Sequence, residues 1–340
     1  MNRFHIARSA AALVFAATVL VSIPLVLGFF ADRHPALDSF AHFRAHLAVL
    51  LAIGGLALLA SRFWKQGLLA VALGAAALWT TLSAFPLFGP TEAAAEADKS
   101  GRAVYRLLHL NLRFNNRTPE RVLSLIGRTK PDVITLNEVS DAWKPRLEQV
   151  AAMYPYAIVC DRPGAVGGVA ILSRRQFAGQ DAAVCLDEGK MAIARVDFGG
   201  TPIEIAALHL HWPWPFGQAG QIESLEPVFA GFGETVLLAG DLNAATWSAT
   251  LRRIEAAGGL AHVVGIGPTW LTRWLPDLFR PYVGLPIDQI FEKGGIAILS
   301  ARTLEAVGSD HLPVLVEFSL TRVTEPGTAT VAVDGLFEAF

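Results

Sequence analysis

Apolar residues are unevenly distributed, with three long uncharged runs before residue 90 and short alternating runs after residue 101. The uncharged runs cover residues 10–30, 47–60 with their flanks, and 67–88. A helix of about 20 apolar residues is long enough to cross a bilayer. The pattern therefore predicts a membrane anchor of three transmembrane helices over residues 1–90. A cleaved signal peptide is the alternative for the first run, although no clear small-residue cleavage site follows Phe30.

Basic residues beside these runs indicate their orientation. Arg3 and Arg8 precede the first run, and Arg62 and Lys65 lie in the tight turn between the second and third. Because basic residues are retained on the cytoplasmic side, these two ends are expected to face the cytoplasm. We therefore expect a multi-pass protein of the cytoplasmic (inner) membrane that contacts membrane lipids. Its residues after the third run are expected to lie outside the cytoplasm. Residues 91–101 are expected to form a polar, Ala-rich linker.

After the linker, β-type runs alternate with helix-like segments. Helices are expected at residues 119–128, 141–153 and 218–229, the first with Thr118 as its N-cap and Pro119 at its first position. Strands are expected at residues 105–110, 133–137, 156–159, 168–172, 191–196, 203–208 and 235–239. Helices interleaved with hairpin strands fit an α/β fold of two packed mixed sheets with helices outside. Residues 321–340 form a tail with no amphipathic period.

Polar side chains directly follow several of these strands, and a further group lies near the C-terminus. They are Asn111, Glu138, His209, Asp241 with Asn243, Asp288, and Asp310 with His311. In open sheets, polar groups at strand ends converge on one rim, where a ligand meets several at once. The sequence therefore predicts one site that combines carboxylates, amides and imidazoles.

Two motifs, Gly240-Asp241-Leu242-Asn243 and Ser309-Asp310-His311-Leu312-Pro313-Val314, resemble those of the endonuclease/exonuclease/phosphatase superfamily. This superfamily includes DNase I-like nucleases, abasic-site endonucleases, inositol polyphosphate phosphatases and bacterial sphingomyelinases. The resemblance covers residues 101–320 and implies a four-layer α/β/β/α sandwich, with a catalytic domain over residues 102–320. It departs from the family pattern at Asn137, where Gln is common before the glutamate, and at Gln289, where His frequently follows the aspartate.

The chemistry of phosphoester hydrolysis suggests a metal site. Water must be deprotonated, the charge of the pentacoordinate phosphorus neutralised and the leaving alkoxide stabilised. A hard divalent cation does much of this through oxygen ligands, so Glu138 with Asn111 and Asp310 is the expected Mg²⁺ site. The resemblance implies the same ligands. Mn²⁺ could replace Mg²⁺, because no soft ligand is placed to select against it.

Asp241 is expected to orient or deprotonate the attacking water, and Asn243 to donate its amide to a phosphate oxygen. The alternative for Asp-Leu-Asn after a strand is a turn whose side chains cap the backbone. His311 is expected to pair with Asp288, which fixes the imidazole tautomer and favours its charged form. Either Asp241 or the His311–Asp288 pair could take the proton.

Two histidines, His209 and His211, lie at the end of a predicted strand, and one of them is expected to contact the substrate at the rim. The resemblance selects His209 as the imidazole that contacts the scissile phosphate. His109 lies on the same strand face as Asn111 and is expected to be buried behind the site.

Charge bears on the substrate. Seven of the 28 basic and five of the 30 acidic residues precede Gly101, which leaves 21 basic and 25 acidic residues and a net charge of −4. A dedicated duplex-binding surface is usually strongly basic. One local cluster could still steer phosphate, or could be the solvated face of a helix. Its members are Arg113, Arg117, Arg121, Arg128 and Lys130.

Two aromatic-rich segments, residues 211–216 and 270–282, are expected to border the same cleft, where they could contact lipid, stack on bases or simply pack. The expected activity is that of a metal-dependent phosphoric ester hydrolase acting on a lipid head group or an envelope phosphodiester. The alternatives are an extracytoplasmic endonuclease or exonuclease acting on nucleic acid and a catalytically silent binding domain; no protein partner is inferred. Cys160 and Cys185 are either a disulfide of an oxidising compartment or two buried thiols.

Overall fold

The structure, a computed structural model, describes residues 3–85, 102–179 and 182–320. The expected linker at residues 91–101 and tail at residues 321–340 lie outside the described residues. The N-terminal part is helical and contains two short 3₁₀ turns, Gly28–Arg33 and Leu82–Ala84. Its helices are α1 (Arg3–Leu27), α2 (Pro35–His42), α3 (Arg44–Leu58) and α4 (Trp64–Trp79).

Two segments of this part are long and apolar enough to cross a membrane. Arg8–Arg33 has a mean hydropathy of 2.5 and Trp64–Ala84 one of 1.7. Helices α2 and α3 are bent by 64° at their junction and together could form a third span. By length and composition, the described helices therefore supply two or three candidate spans, in the regions where the sequence predicts three.

Helices α3 and α4 pack closely because small residues line their contact. A Cβ atom placed on Gly55 would lie 2.7 Å from the carbonyl oxygen of Gly67, so a larger side chain would push the two backbones apart. Ala48 and Ala70 are buried in the same contact. Small residues of this kind are the usual basis of helix association in a bilayer, where close backbone approach replaces the hydrophobic effect.

The second part consists of two six-stranded sheets, with strand orders β11-β12-β1-β2-β4-β3 and β5-β6-β7-β8-β10-β9. The strands of the first sheet are β1 (Val104–Asn111), β2 (Val133–Val139), β3 (Tyr156–Val159), β4 (Gly168–Ser173), β11 (Ile296–Thr303) and β12 (Val314–Leu320). Those of the second are β5 (Ala183–Leu186), β6 (Met191–Asp197), β7 (Pro202–His209), β8 (Val236–Asp241), β9 (Ala261–His262) and β10 (Asp288–Lys293). The helices are α5 (Pro119–Thr129), α6 (Lys144–Leu147), α7 (Gln218–Ala230), α8 (Ala249–Gly258) and α9 (Arg280–Val283).

Three apolar layers hold the sheets and helices together. Between the sheets, Leu107 and Ile171 pack against Ile205 and Ile290. On the outer face of the first sheet Ile126 of α5 is buried, and helices α7 and α8 cover the second sheet in the same way. The result is the four-layer α/β/β/α sandwich that the sequence predicts.

Strand alternation explains where the polar groups lie. In β1, Leu108 and Leu110 belong to the outer layer under α5, whereas Leu107 belongs to the layer between the sheets. Because side chains alternate across a strand, His109 and Asn111 share the inward face with Leu107. Both are fully buried. The interior between the sheets therefore changes from apolar to polar towards one end.

Some sequence-based expectations about local structure were wrong. The helix predicted at residues 141–153 is shorter, comprising α6 and a 3₁₀ turn at Glu148–Val150. Thr118 precedes α5 as expected, but its side chain makes no cap hydrogen bond. Its hydroxyl instead donates to Asn116 Oδ1 at 3.1 Å, because the Asn116 side chain folds back over this turn.

The two cysteines form a disulfide. Cys160, directly after β3, is bonded to Cys185 in β5, with their Cα atoms 5.6 Å apart. Both strands are edge strands of their sheets. The bond therefore ties the two sheets together along one open side of the sandwich.

The N-terminal helices dock directly on the second part of the chain through α2. The buried Asp38 carboxylate accepts hydrogen bonds from the backbone N–H groups of Ala249 (2.8 Å) and Thr250 (3.0 Å) at the start of α8, and from the Thr250 hydroxyl. The indole Nε1 of Trp247 donates to the carbonyl of Ala41. A carboxylate at a helix N-terminus satisfies free N–H groups and interacts favourably with the helix dipole.

Replacing Asp38 with Ala should weaken this docking. Three donors lose their buried acceptor, so the free energy of unfolding should fall by about 1–3 kcal/mol. Thermal unfolding of the full chain in lipid nanodiscs, followed by circular dichroism, measures the change. Asp32→Ala is the matched control, because the Asp32–Arg252 ion pair nearby is largely exposed and should contribute less than about 1 kcal/mol. Equal losses in the two variants would contradict the importance of the Asp38 contact.

Candidate active site between the two sheets

Strand register places an imidazole and two carboxylates in one row of the second sheet. His209 ends β7 and pairs with Asp241 of the parallel strand β8. Asp241 also pairs with Asp288, the first residue of the antiparallel strand β10. Gly240 is required here, because a Cβ atom at this position would lie 2.0 Å from the carbonyl oxygen of Leu208. The three functional side chains thus lie next to one another because their strands do.

Asn137 connects this row to the opposite sheet. Its Oδ1 accepts a hydrogen bond from the backbone N–H of Asp241 at 2.8 Å, and its Nδ2 donates to the carbonyl of Leu208 at 3.1 Å. Sequence reasoning noted Asn137 only as a departure from the family pattern and missed this role. The signal was present, since Asn137 continues the inward face that begins with Val133 and Thr135.

Asn111 joins two carboxylates through its amide. Its Nδ2 donates to Glu138 Oε1 at 3.1 Å and to Asp241 Oδ2 at 2.9 Å. Its Oδ1 accepts a hydrogen bond from the backbone N–H of Arg113 at 2.9 Å. The structure therefore brings together Asn111 and Glu138, two of the three predicted metal ligands, and places Asp241 beside them.

Glu138 is held in an uncommon backbone conformation. Its φ is 57°, in the left-handed region that side chains other than glycine rarely adopt. The pairing of β2 with β4 is irregular at this point, between Leu136 and Val139. The second carboxylate oxygen, Oε2, accepts a hydrogen bond from the N–H of Phe114 at 2.8 Å. Strain of this kind is retained where the surroundings fix it, commonly at functional sites.

Asp310, the third predicted ligand, is partly exposed at the edge of this group. Its Oδ1 lies 3.9 Å from Nε of Arg113, the residue whose N–H binds Asn111. Of the predicted basic cluster, Arg113 is therefore at the site, whereas Arg128 pairs with Glu305 on the outer side of α5. The carboxylate oxygens of Glu138 and Asp310 suit a hard divalent cation, whereas Asn111 turns its NH₂ group to Glu138 and its oxygen to the N–H of Arg113.

His311 belongs to a buried chain of polar groups. Its Nδ1 is 2.8 Å from Asp288 Oδ2, as the sequence predicts. The other oxygen of Asp288 is 3.1 Å from His109 Nε2, and His109 Nδ1 is 3.1 Å from the hydroxyl of Thr135. The expectation that His109 is buried behind the site is confirmed. Thr135 was missed, although it lies on the same inward strand face as Asn137.

Asp241 is the centre of the arrangement. His209 Nε2 and His311 Nε2 each lie 3.6 Å from its Oδ2, the oxygen that also accepts from Asn111. His211, by contrast, lies beyond the end of β7 and donates its backbone N–H to Gln221 at 2.6 Å. His209 is thus the histidine of the pair that contacts the row of carboxylates.

Burial and neighbouring charges shift the pKa values of these groups in different directions. Burial opposes the charge on His311, but the carboxylates of Asp288 and Asp241 outweigh it and raise the pKa of His311 to about 10. Burial raises the pKa of Asp241 to about 7, with repulsion by Asp288 adding to it and His311 opposing it. Burial would also raise the pKa of Asp288, but His311 and His109 hold it well below its usual range.

Burial lowers the pKa of His209 to about 3, with repulsion by His311 and Arg162 adding to the shift. His209 is therefore neutral and His311 positively charged at neutral pH. A neutral and a charged imidazole on either side of one carboxylate can play different parts in an acid–base reaction.

A second group of residues could also hold a cation. Ligand atoms of Asp241, Asp288 and His311 lie within 4.8 Å of one another. This set shares no member with the predicted ligands, but Asn111 bonds directly to Asp241 and so joins the two sets. The second set includes a nitrogen ligand and the charged His311–Asp288 pair, whereas Glu138 and Asp310 offer oxygen ligands only.

Asn243 forms the turn considered as its alternative role, and its donation to a phosphate oxygen stays a prediction. Its φ is 48°, and its backbone N–H donates to Asp241 Oδ1 at 3.0 Å, which is the turn expected of Asp-Leu-Asn. Its side-chain Nδ2 donates to the carbonyl of Leu210 at 2.9 Å. An amide nitrogen carries two hydrogens, so the second remains to donate to a phosphate oxygen.

Two hydroxyl residues that were not predicted support the site from behind. Ser309 donates to the carbonyl of Asn111 at 2.7 Å and accepts from the N–H of His311 at 3.0 Å. Thr269 accepts hydrogen bonds from the backbone N–H groups of Ile287 and Asp288. Ser309 lies within a recognised motif and could have been assigned this role, whereas nothing local in the sequence distinguishes Thr269.

The aromatic segments border the same cleft, as expected. The rings of Trp212 and Trp270 meet edge to face with their centroids 5.9 Å apart. Trp270 also pairs through its backbone with His311. The two segments therefore form a wall directly beside the buried charges.

Comparison with solved structures gives proteins of the same fold. An endonuclease/exonuclease/phosphatase from Beutenbergia cavernae is 20% identical with a TM-score of 0.51, covering 64% of this chain and 72% of that chain. Danio rerio TDP2 complexed with single-strand DNA product is 20% identical with a TM-score of 0.53, covering 64% and 99%. An endonuclease/exonuclease/phosphatase from Bacteroides vulgatus is 17% identical with a TM-score of 0.50, covering 65% and 100%.

No match was found among curated proteins. The sequence model of one family, described as the endonuclease/exonuclease/phosphatase family, matches residues 108–311, which is more than half of the chain. The matched range begins in β1 and ends at His311, so it includes every residue of the site described above. The chain belongs to the endonuclease/exonuclease/phosphatase family.

Proposed function

We propose that the protein is a membrane-anchored, divalent-metal-dependent phosphoesterase that hydrolyses a phosphodiester or phosphomonoester outside the cytoplasm. The observation that carries this proposal is the position of Asp241 Oδ2, which contacts Asn111, His209 and His311 together. In this arrangement the carboxylate of Asp241 can act as a base, and the charged imidazole of His311 can attract a phosphate. The family is one of phosphoester hydrolases and nucleases, which agrees with this chemistry.

The proposed reaction is an attack of water on phosphorus. As the water oxygen bonds to phosphorus, Asp241 takes the water proton, and the bond between phosphorus and the leaving oxygen breaks. Asp288 keeps His311 oriented and charged, so that its imidazolium stabilises the additional negative charge on the phosphate. His209 and the amide of Asn243 donate hydrogen bonds to the remaining phosphate oxygens. The leaving alkoxide takes a proton from solvent water and departs as an alcohol, and Asp241 then releases to solvent the proton that it took from the attacking water.

Glu138, Asn111 and Asp310 are the residues proposed to hold Mg²⁺, or Mn²⁺ in its place. When bound, the cation supplies positive charge and Lewis acidity at the phosphate. Glu138 already has its Oε2 fixed by Phe114 and its Oε1 directed at Asn111. Glu138 is therefore positioned before any ligand arrives.

The proposed location rests on how the anchor meets the catalytic domain. The loop between α1 and α3 bonds to α8, and the backbone N–H groups of Gly265 and Gly267 donate to Ser83 and Ala84 beyond α4. These ends of the helices are thus on the side of the catalytic domain, and the basic turn with Arg62 and Lys65 is at the opposite end. Basic residues favour the cytoplasmic side, and the disulfide is typical of an oxidising compartment.

A nuclease acting outside the cytoplasm is the second candidate within the family, and a silent binding domain is the third. The net charge of −4 after residue 100 does not favour a dedicated duplex-binding surface. A silent protein has no chemical need for a charged His311 held by a buried Asp288. Hydrolysis of a simple phosphodiester without cleavage of plasmid DNA would favour the main proposal over both.

Replacing Asp241 with Asn, or His311 with Gln, should lower kcat by about 10²–10⁴ because each change removes a proton acceptor or a charge from the reacting phosphate. The measurement is the Mg²⁺-dependent hydrolysis of bis(p-nitrophenyl) phosphate by the full chain. Glu305→Gln serves as the control, since Glu305 pairs with Arg128 on the outer surface. Wild-type rates in the Asp241 and His311 variants would end the proposed mechanism.

Replacing Glu138 with Gln should weaken Mg²⁺ binding at least about tenfold, equivalent to 1.4 kcal/mol, because an anionic ligand is lost while the shape is kept. Calorimetric titration of the full chain with Mg²⁺ tests this independently of hydrolysis. The same titration on Asp288→Asn separates the two candidate cation sets. If Asp288→Asn loses more Mg²⁺ affinity than Glu138→Gln, the cation site is the group of Asp241, Asp288 and His311 instead.

A cysteine placed at the exposed Thr201 should react with a membrane-impermeant maleimide in intact spheroplasts, because the β6–β7 turn would be outside the cytoplasm. A cysteine placed at the exposed Gln66, beside Lys65 at the start of α4, should react only after the membrane is permeabilised. Labelling is read by the mass shift of the purified protein. The reverse pattern would place the catalytic domain in the cytoplasm.

A further inference from the structure

A cavity of about 140 Å³ lies between the anchor and the catalytic domain. One wall comes from the end of α2 and the residue after it, His42 and Phe43. The other wall comes from the two aromatic segments, with Trp212 and Leu285 among its residues. The lining is mostly apolar, and a cavity of about 150 Å³ with such a lining accommodates a group the size of benzene.

This cavity adjoins the catalytic residues. Asn243 is part of its lining, and the N–H of Asn243 is bonded to Asp241. Ile287, also in the lining, directly precedes Asp288. A phosphate held at Asp241 would therefore have the group attached to it at the mouth of the cavity.

His42 gives the cavity an unused polar group. Its side chain is only 4% exposed, and within the described part of the chain neither of its ring nitrogens has a hydrogen-bond partner. Burying an imidazole without a partner costs free energy, and such groups are normally satisfied. A ligand with a hydroxyl or ester oxygen just beyond its phosphate would supply the missing hydrogen bond.

The anchor fixes both aromatic segments in place. The hydroxyl of Ser39 in α2 donates to the carbonyl of Trp214 at 3.0 Å. Nε2 of His46 in α3 lies 3.0 Å from the carbonyl oxygen of Val283. The cavity is thus formed jointly by membrane helices and catalytic domain, and the catalytic domain alone would lack one wall.

The two aromatic segments also carry exposed aromatic side chains, one of which, Phe216, lines the cavity. Phe216, Trp274 and Tyr282 are all well exposed, Trp274 to 94%. Tyr and Trp are the residues preferred at the boundary between a bilayer and water. A soluble substrate has no need of such a surface, whereas a hydrocarbon chain emerging from the bilayer would cross it to reach the cavity.

We propose that this cavity is the binding site for the first part of a hydrocarbon chain, and that the substrate is a membrane-embedded lipid whose phosphoester reaches Asp241 while its chain enters beside Phe43. This inference rests on the proposed phosphoesterase function. His42 binds the oxygen that links the chain to the phosphate-bearing part. The anchor is accordingly part of the substrate site as well as a tether.

A series of alkyl phosphates tests the site by direct binding. Butyl, hexyl and octyl phosphate are titrated into the full chain in lipid nanodiscs, and the dissociation constants are measured calorimetrically. Because each buried methylene adds to the hydrophobic contribution, affinity should rise at least about tenfold from butyl to octyl phosphate. Affinity that does not depend on chain length would overturn the proposal.

Variants separate the cavity from simple partition of the longer chains into the nanodisc. Phe43→Ala and, independently, Trp212→Ala should reduce the gain between butyl and octyl phosphate to less than about threefold. Phe40→Ala is the matched control, because Phe40 is a similarly exposed phenylalanine of α2 that does not line the cavity. A full gain in both cavity variants would show that the chains enter only the bilayer, which rejects the site.

His42→Phe tests the polar contact with a second pair of probes. It should weaken binding of a monoacylglycerol phosphate several-fold while leaving octyl phosphate unchanged, because only the first has an acyl ester oxygen and a glycerol hydroxyl between its phosphate and its chain. Equal effects on the two probes would reject the role of His42.

Hydrolysis of bis(p-nitrophenyl) phosphate, measured on the same samples, distinguishes the two levels of the proposal. If the protein hydrolyses this substrate but its affinity does not depend on alkyl length, the phosphoesterase proposal is supported and the lipid site is rejected. If affinity depends on alkyl length but no hydrolysis occurs, the lipid site is supported and the phosphoesterase proposal is rejected. Competition by a single-stranded oligonucleotide as strong as that by octyl phosphate would favour a nucleic-acid substrate and count against the lipid.

Discussion

The structure depends on burying two carboxylates, Asp241 and Asp288, side by side between two sheets. Their strands are paired so that the two residues are direct neighbours, and neither is more than 2% exposed. Two buried anions at this distance repel each other and lose their hydration, which is costly unless each is compensated. Asp288 is compensated by His311 and His109, and Asp241 by Asn111 and the shared charge of His311. The same compensation makes the site chemically useful. It leaves the imidazole of His311 charged and gives the carboxyl of Asp241 a pKa of about 7.

Buried hydrogen bonds between the two sheets also fix their alignment at this end. The apolar layer between them specifies that they pack but only loosely specifies how. Asn137 accepts from the backbone of Asp241 and donates to that of Leu208, so a shift of one residue would break both bonds. The polar end of the interior therefore fixes the alignment of the sandwich, and the apolar end supplies most of its stability.

Much of this arrangement could be predicted from the chain, because strand alternation and strand ends leave a direct mark on the sequence. The inward positions of His109 and Asn111, the pairing of His311 with Asp288 and the sandwich itself follow from such marks. The inward position of Asn137 leaves such a mark as well, but its partners in the opposite sheet do not. The contact of Thr269 with Asp288 and the cation set with Asp288 join segments far apart in the chain, whose relation is set by tertiary packing. The shortened helix at α6 shows the same limit, because an amphipathic pattern does not reveal where packing ends a helix.

Buried polar contacts also join the N-terminal helices to the candidate site. Asp38 binds the first N–H groups of α8, and the Thr250 hydroxyl beside it also lies 3.1 Å from Gln218 Oε1. Gln218 in turn donates to the carbonyls of Leu242 and Asn243, within the loop that follows the catalytic aspartate. A continuous set of buried hydrogen bonds thus runs from helix α2 to the loop that follows Asp241. Because these bonds are buried, they hold the cleft in a fixed position relative to the N-terminal helices.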